Sequence, residues 1–222
     1  MLVIGPEKEY YMGNNSKENR FFRLIPMAGI LIFVVLYFVA ASVYPGGSNL
    51  NRHLDGFDWM NNYWCNLTDK RAMNGVVNES RQYAQTGILV LCFSLAYYFY
   101  KFPFLFKLKT PWKLIVPISG IAATTFSLFI HSRFHDIMAV LTAIAISIAV
   151  IGIFFGLKRH NLTHFIWTGI VCMFLIVLNG YIYFSENYIE MLPLIQKVTF
   201  AAVLLWFFLL TAMYGSEMEK EP

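Results

Sequence analysis

Six long apolar stretches separated by short polar segments set the pattern of this chain. They cover residues 24–44, 83–100, 113–130, 137–157, 164–184 and 194–214. The hydrocarbon core of a bilayer is about 30 Å thick and needs roughly twenty apolar residues per helix, which each stretch supplies. Helices are expected because each segment must satisfy its own backbone hydrogen bonds. The pattern therefore predicts an all-α membrane protein, a bundle of six transmembrane helices.

Composition and charge agree with a membrane protein. Of the 222 residues, 58% are hydrophobic and 14% are charged, whereas a soluble domain has about 25% charged residues. The net charge of +4 is typical of topology signals and of attraction to anionic lipid. Membrane lipids are thus the predicted partners. The chain has no basic motif for nucleic acid and no phosphate-binding loop, and neither nucleic acid nor a cofactor is predicted.

The distribution of Lys and Arg predicts the orientation. Eleven of the 17 lie on the side that holds both termini, and six lie on the other side, mostly in or beside one long loop. Positive charge in short segments is biased toward the cytoplasm. We therefore expect a multi-pass protein of the cell membrane, with cytoplasmic tails at residues 1–23 and 215–222 and a transmembrane domain at 24–214.

The first outer segment, residues 45–82, is too long for a simple connection. It opens with the turn-forming run Pro45-Gly46-Gly47 and continues to an aromatic run that includes Trp59, Tyr63 and Trp64. One interpretation is a belt of aromatic residues at the headgroup level of the bilayer. The other is an ordered cap over the outer mouth of the bundle, and this is the architecture that we predict.

Polar residues gather toward the same outer end. Polar groups in lipid are costly, so their clustering predicts a binding site. The candidate ligand-binding residues are Asn62, Asp69, Asn78, Ser80, Arg81, His131, Arg133, His135, Gln196 and Lys197. The three cations among them suit a phosphate or carboxylate headgroup. The alternative is that they extend to the interface and pair with acidic neighbours.

Two further kinds of chemistry were considered for this end. His131 and His135 share a helix face and, with Asp136, form a candidate metal set, although zinc needs three or four ligands. The alternative is a polar turn whose histidines bond backbone or headgroups. His135, Asp136 and Ser80 are the candidate catalytic residues for a hydrolase, which needs a base and a nucleophile. A binding protein is the leading prediction; a lipid-modifying hydrolase and a small transporter are the alternatives.

Small residues indicate how the helices pack. Ala123, Thr124 and Ser127 lie in the third stretch, and a short connection makes the third and fourth helices predicted neighbours. In the fourth stretch, Gly152 and Gly156 favour internal packing of the bundle, with a homodimer face as the alternative.

Several short motifs resemble those of an uncharacterised family of bacterial six-helix membrane proteins, domain of unknown function 998. The family has an Asn-Tyr-x-Ser-Asp-Leu-like segment, a Gly-x-x-Asn-x-x-Ser segment entering the second helix, a His near the start of the fourth helix and a Glu/Gln-Arg pair early in the last. The matching positions are Asn62, Tyr63, Asn66, Leu67, Gly75, Asn78, Ser80, His135, Gln196 and Lys197. Two of these positions depart from the family pattern: Asn66 stands where an acidic residue is expected, and Lys197 replaces the usual arginine and loses its planar pair of donors. The layout is also similar, more distantly, to the Frag/DRAM/Sfk membrane group, which is linked to lipid handling. The resemblance implies a six-helix fold with an ordered outer loop.

Overall fold

The computed structural model describes the backbone of residues 6–130 and 134–217, and the side chains of residues 21–130 and 134–213. Six α-helices account for most of it: α1 (Pro6–Ser42), α2 (Arg81–Leu105), α3 (Trp112–Leu128), α4 (His135–Arg159), α5 (Thr163–Ser185) and α6 (Leu192–Glu217). Two short 3₁₀ helices, Trp64–Thr68 and Ile189–Met191, lie between them. The described residues contain isolated β-bridges but no strand. The prediction of an all-helical fold is confirmed.

Five of the helical segments are long and apolar enough to cross a membrane, namely Phe21–Ser42, Arg81–Leu105, His135–Arg159, Thr163–Ser185 and Ile189–Met213. The remaining apolar helix, α3, has 17 residues, which is about 25 Å at a rise of 1.5 Å per residue. The helices extend beyond the predicted stretches. α1 begins at Pro6, before the first apolar run, and α2 continues past Lys101 to Leu105, because helical backbone hydrogen bonding does not depend on an uninterrupted apolar run.

The helices form a ring in chain order. Each packs against the next one along the chain, and α1 also packs against α6, which closes the ring. The predicted contact between the third and fourth helices is therefore present. α1 and α2 are antiparallel, because Gly29 lies against Ser94 and Gly87 lies against Tyr37. Short connections make the later neighbours antiparallel, so the start of α2, α4 and α6 lies near the end of α1, α3 and α5. We call this the cap end of the ring.

Aromatic side chains fill the half of the ring that lies away from the cap end. Phe102 and Phe106 stack with their ring centres 4.1 Å apart. Tyr98 and Phe99 meet Phe207 of α6 edge to face at 5.3 Å and 5.7 Å. Such pairs contribute about 0.5–1.5 kcal/mol each beyond their burial, so this half of the bundle is firmly packed.

Two glycines of α4 allow close approach in this same half. A Cβ added at Gly152 would overlap Val116 of α3, and one at Gly156 would lie 3.1 Å from Leu108 and Phe102. Both glycines are buried within the one chain. Internal packing therefore accounts for them, and the homodimer stays a prediction.

Candidate functional site

The segment that connects α1 to α2, residues 43–80, folds over the cap end of the ring, and we call it the cap. Its backbone turns at Gly46 and Gly47, whose φ angles of 132° and 85° favour glycine. A Cβ at either position would also meet backbone, at Leu54 and Asn74 respectively. The turn that the sequence indicated at residues 45–47 is thus part of a tightly folded segment.

Asn78 organises the second half of the cap. Its side-chain amide donates to the backbone carbonyls of Asn66 at 3.0 Å, Asp69 at 2.9 Å and Leu67 at 3.3 Å. Its carbonyl oxygen accepts from Ser80, whose hydroxyl also lies 3.0 Å from Leu67 O. Ser80 is fully buried and Asn78 is 5% exposed. These side chains supply hydrogen-bond partners for backbone carbonyls that are not paired in a helix or a strand.

Asn62 organises the first half in the same way. Its amide donates to Gly47 O at 2.9 Å, while its carbonyl oxygen accepts from the Asp58 amide at 2.8 Å. Asn66 accepts from the Tyr63 amide at 2.8 Å and lies 3.3 Å from the Asn62 amide. Asn62 has no exposed surface, and its side-chain amide bonds only within the cap.

The polar pair on α6 fastens the cap to the helix ring. Gln196 Oε1 accepts from the Trp64 amide at 3.2 Å, at the start of the first 3₁₀ helix. Lys197 Nζ donates to Asn62 O and, at 2.9 Å, to Pro193 O. The same ammonium lies 5.7 Å from the Phe57 ring centre, and a comparable distance from that of Trp64. Two carbonyls and two aromatic faces therefore stabilise this charge inside an apolar helix.

These contacts bear on the predicted ligand site, which stays a prediction. Asn62, Asn78 and Ser80 were predicted to face a ligand, and Ser80 was a candidate nucleophile. The structure instead bonds their polar atoms to the chain itself, and buries the Ser80 hydroxyl. Gln196 and Lys197 likewise bind the cap backbone. The physical reason is that a long irregular segment over an apolar bundle needs partners for its own carbonyls and amides.

Arg81, in contrast, faces a polar pocket. The pocket has a volume of about 510 Å³ and is lined by Val43, Asn78, Glu79, Arg81, Gln82, Tyr83 and Gln85. Arg81 Nε is buried and has no hydrogen-bond partner among the side chains and backbone that the structure describes. Buried polar groups in proteins are normally paired. Arg81 is thus the member of the predicted site whose bonding capacity the described residues leave unused.

His135 and Asp136 begin α4 beside the end of α5. One carboxylate oxygen of Asp136 lies 2.9 Å from His135 Nδ1 and accepts from the Tyr183 hydroxyl at 2.7 Å. Asp136 and Tyr183 border a second pocket of about 390 Å³, together with Phe184, Glu186 and Ile189. The arrangement orients the imidazole through a carboxylate, which is a general feature of acid–base residues and of structural histidines alike.

Asp69 of the cap approaches this pair. Burial raises the pKa of its carboxyl group, while a side-chain bond from Asn66 and the charge of His135 oppose that shift. The predicted residues His131 and Arg133 lie outside the described residues. Among the residues that are described, no group of three His, Cys, Asp or Glu side chains could hold a metal ion.

An apolar cavity inside the helix ring was not predicted. It has a volume of about 310 Å³, and we call it the central cavity. Five helices line it, together with Ile130, which follows α3: α2 with Leu91, Cys92, Leu95 and Phe99; α3 with Ala123, Thr124 and Ser127; α4 with Ala139, Thr142, Ala143 and Ile146; α5 with Ile176; and α6 with Thr199, Phe200, Val203, Leu204 and Phe207. The signal in the sequence was the small residues of α3 and α4, which we interpreted as helix packing.

No protein-family model, curated protein or solved structure matches this chain. The likeness to the domain of unknown function 998 therefore stays a prediction, and the functional argument rests on the residues themselves.

Proposed function

We propose that this protein crosses the cell membrane six times, with both termini in the cytoplasm and the cap outside. Five helical segments have membrane-spanning length, and the 17 residues of α3 match the lower limit for a spanning helix, about 17 residues. The excess of Lys and Arg in the segments opposite the cap supports the orientation.

We further propose that the protein binds an anionic group, such as a lipid headgroup, in the pocket beside Arg81. The observation that carries this proposal is that Arg81 lines an open polar pocket, while its buried Nε has no partner among the described residues. A guanidinium presents a planar fork of donors that fits phosphate and carboxylate oxygens. Gln82 and Gln85 add amide donors to the same pocket.

The position of the pocket also favours an anion. Arg81 is the first residue of α2, and the N-terminus of a helix carries unpaired backbone N–H groups and the positive end of the helix dipole. Glu79 lies in the same pocket and would repel an anion, so it limits the pocket to ligands that also contact the guanidinium.

Lipid retention by the purified protein tests the headgroup proposal. The protein is reconstituted with equal amounts of phosphatidylglycerol and phosphatidylcholine, and the retained lipid is counted by native mass spectrometry. We expect preference for phosphatidylglycerol, and a loss of about tenfold or more in Arg81→Gln, because a charged hydrogen bond contributes about 1.5–3 kcal/mol. Arg71→Gln, an exposed change in the cap, is the matched control. Equal retention by Arg81→Gln and the control would overturn the proposal.

Cysteine labelling tests the orientation. The three native cysteines are replaced, and single cysteines are introduced as Glu79→Cys at the cap end and Lys109→Cys at the opposite end, both exposed positions. An impermeant maleimide added to intact cells should label only Glu79→Cys. Labelling of Lys109→Cys alone would establish the reverse orientation.

A lipid-modifying hydrolase is the second candidate, favoured by the contact of His135 with Asp136. A histidine held by a carboxylate can act as a general base. Release of fatty acid from phosphatidylglycerol vesicles by the wild-type protein, and its loss in His135→Ala, would support it. If the wild-type protein releases none, this candidate fails while the binding proposal stands.

A further inference from the structure

We propose that the central cavity holds a linear hydrocarbon chain, such as the acyl chain of a membrane lipid. This inference rests on the proposed membrane insertion and lipid binding, and it adds the class of ligand and a second place of contact. It does not require Arg81, which lies in a different pocket.

The location of the central cavity suits a lipid chain. Its walls include the middle of α2, the second half of α3 and the first halves of α4 and α6. These are apolar segments within the helices that can cross a membrane, or within α3. At that depth the surrounding medium consists of hydrocarbon chains, so they are the apolar molecules most available to enter.

The chemistry of the walls excludes a polar ligand. Thr124 Oγ1 donates to Ile121 O at 2.9 Å, and Ser127 Oγ donates to Thr124 O at 2.8 Å. Thr199 Oγ1 donates to Ile195 O at 2.8 Å. These hydroxyl hydrogens are used within their own helices, and the rest of the surface is almost entirely apolar. A buried water needs two to four polar partners, which the cavity does not supply.

One wall hydroxyl lacks a partner. Thr142 Oγ1 is buried, and the described residues offer it no hydrogen bond. A single hydroxyl is not enough for a hydrated ligand, but it is compatible with a chain that carries one weak acceptor, such as an ester oxygen or a double bond.

The size of the central cavity suits a chain segment. Its volume is about 310 Å³, roughly twice that of the 150 Å³ engineered apolar cavity that stays free of water and binds benzene. Ligand pockets begin at about 300 Å³. The side chains of Ala123, Ala139 and Ala143 are too short to fill this space, although α3 and α4 are neighbours. The volume therefore accommodates part of a flexible chain.

Photolabelling with a chain-borne reagent tests the inference. The full-length protein is placed in nanodiscs of phosphatidylcholine that carries a photoactivatable diazirine in its acyl chain, and the adducts are assigned by mass spectrometry. Cys92 and Phe93 form an internal comparison, because Cys92 lines the central cavity and Phe93 is 70% exposed on the outer surface. We expect adducts at both positions in the wild-type protein.

Filling the central cavity should remove one of the two signals. Ala143→Phe places a ring in the cavity, and we expect the Cys92 adduct to be lost while the Phe93 adduct remains. Ile144→Phe, at an exposed position beside it, is the matched control and should change neither. Val203→Phe fills the cavity from α6 and gives an independent second variant if Ala143→Phe does not fold.

The outcomes separate the two proposals and the source of the chain. A missing Cys92 adduct in the wild-type protein, or one that persists in both filling variants, would overturn the inference. A parallel arm with a free diazirine fatty acid in unlabelled nanodiscs shows whether the chain belongs to a phospholipid or to a fatty acid; labelling of Cys92 in either arm supports the cavity. Since phosphatidylcholine has no net charge, this result is independent of the preference for phosphatidylglycerol that tests the Arg81 pocket.

Discussion

Replacing Lys197 by methionine tests whether α6 fastens the cap. In the structure the ammonium donates to the backbone carbonyl of Asn62 and lies near the rings of Phe57 and Trp64. All three of these residues belong to the cap. Methionine keeps a long apolar side chain but removes the charge and the donors, so the substitution isolates the contact between cap and helix ring.

The expected loss follows from these contacts. A hydrogen bond from a charged group contributes about 1.5–3 kcal/mol, and a cation–π contact contributes roughly 0.5–2 kcal/mol. Part of this is offset because methionine has no charge to remove from water. We expect a net loss of about 2 kcal/mol for the closed cap, which is roughly thirtyfold in its opening equilibrium.

Hydrogen exchange of the protein in nanodiscs measures this opening. The Asn62 amide donates to Asp58 O at 2.8 Å and the Asn66 amide to Tyr63 O at 3.2 Å, so both exchange when the cap opens. Peptides covering residues 57–69 should exchange about thirtyfold faster in Lys197→Met, at unchanged rates in α2. Lys70→Met, which removes an exposed charge from the cap, is the control. Exchange in 57–69 that matches the wild-type rate would refute the reasoning.

Three further predictions concern packing, the cap and its thiol. Gly120→Ala should lower the stability by about 1–3 kcal/mol, because the new Cβ overlaps the Phe99 ring. Gly180→Ala is the control, since a Cβ there meets nothing. Equal unfolding temperatures for the two variants would contradict this prediction. Asn78→Asp keeps an acceptor but loses the amide donors to three backbone carbonyls, so we expect the closed cap to lose about 2–3 kcal/mol of stability. The amide hydrogens of the cap should then exchange faster. Exchange at the wild-type rate would argue against this prediction. Burial raises the pKa of the Cys65 thiol to about 11, which leaves roughly 300-fold less reactive thiolate at neutral pH than a free cysteine with a pKa of about 8.5. Its reaction with a maleimide should therefore be slow and accelerate as the pH rises toward 11. A rate like that of a free thiol at neutral pH would show that the pKa of the half-buried Cys65 thiol is not raised.

The helices were predictable because apolar runs of this length leave the backbone few alternatives in a membrane. The residues at which the helices begin and end were less predictable. The predicted run ends at Tyr100 because the charged Lys101 follows, but α2 continues through the apolar residues 102–105, since one charged side chain does not interrupt the backbone hydrogen bonds.

The polar residues were harder to interpret than the helices. The sequence grouped Asn62 with Lys197 at one end of the bundle, and the structure brings the two into contact. This contact does not by itself identify their role, because an unusual polar residue signals only that it needs a partner. Whether that partner is a ligand or the carbonyl of a distant loop depends on the tertiary fold, and no local pattern contains that information.

The central cavity shows a similar limit. Small residues such as Ala123 and Ala143 permit two helices to touch, and they equally permit a gap when the helix axes are further apart. In the half of α4 that holds Gly152, the helices touch, and Gly152 packs against Val116 of α3. Nearer the cap end, the helices leave a gap, which is the central cavity. The spacing of small residues is alike in both halves, so the separation of the helices decides between the outcomes.

Free volume is consequently distributed unevenly along the ring. Packed aromatic rings occupy the half away from the cap, and the central cavity of about 310 Å³ extends from Phe99 and Phe207 toward the cap end. Compression favours states in which internal voids are eliminated. Under hydrostatic pressure, or in a bilayer whose lateral pressure varies with depth, the two halves of the ring would be compressed to different extents. The aromatic half would act as a stiff base, and the mechanical compliance of the protein would be concentrated beneath the cap.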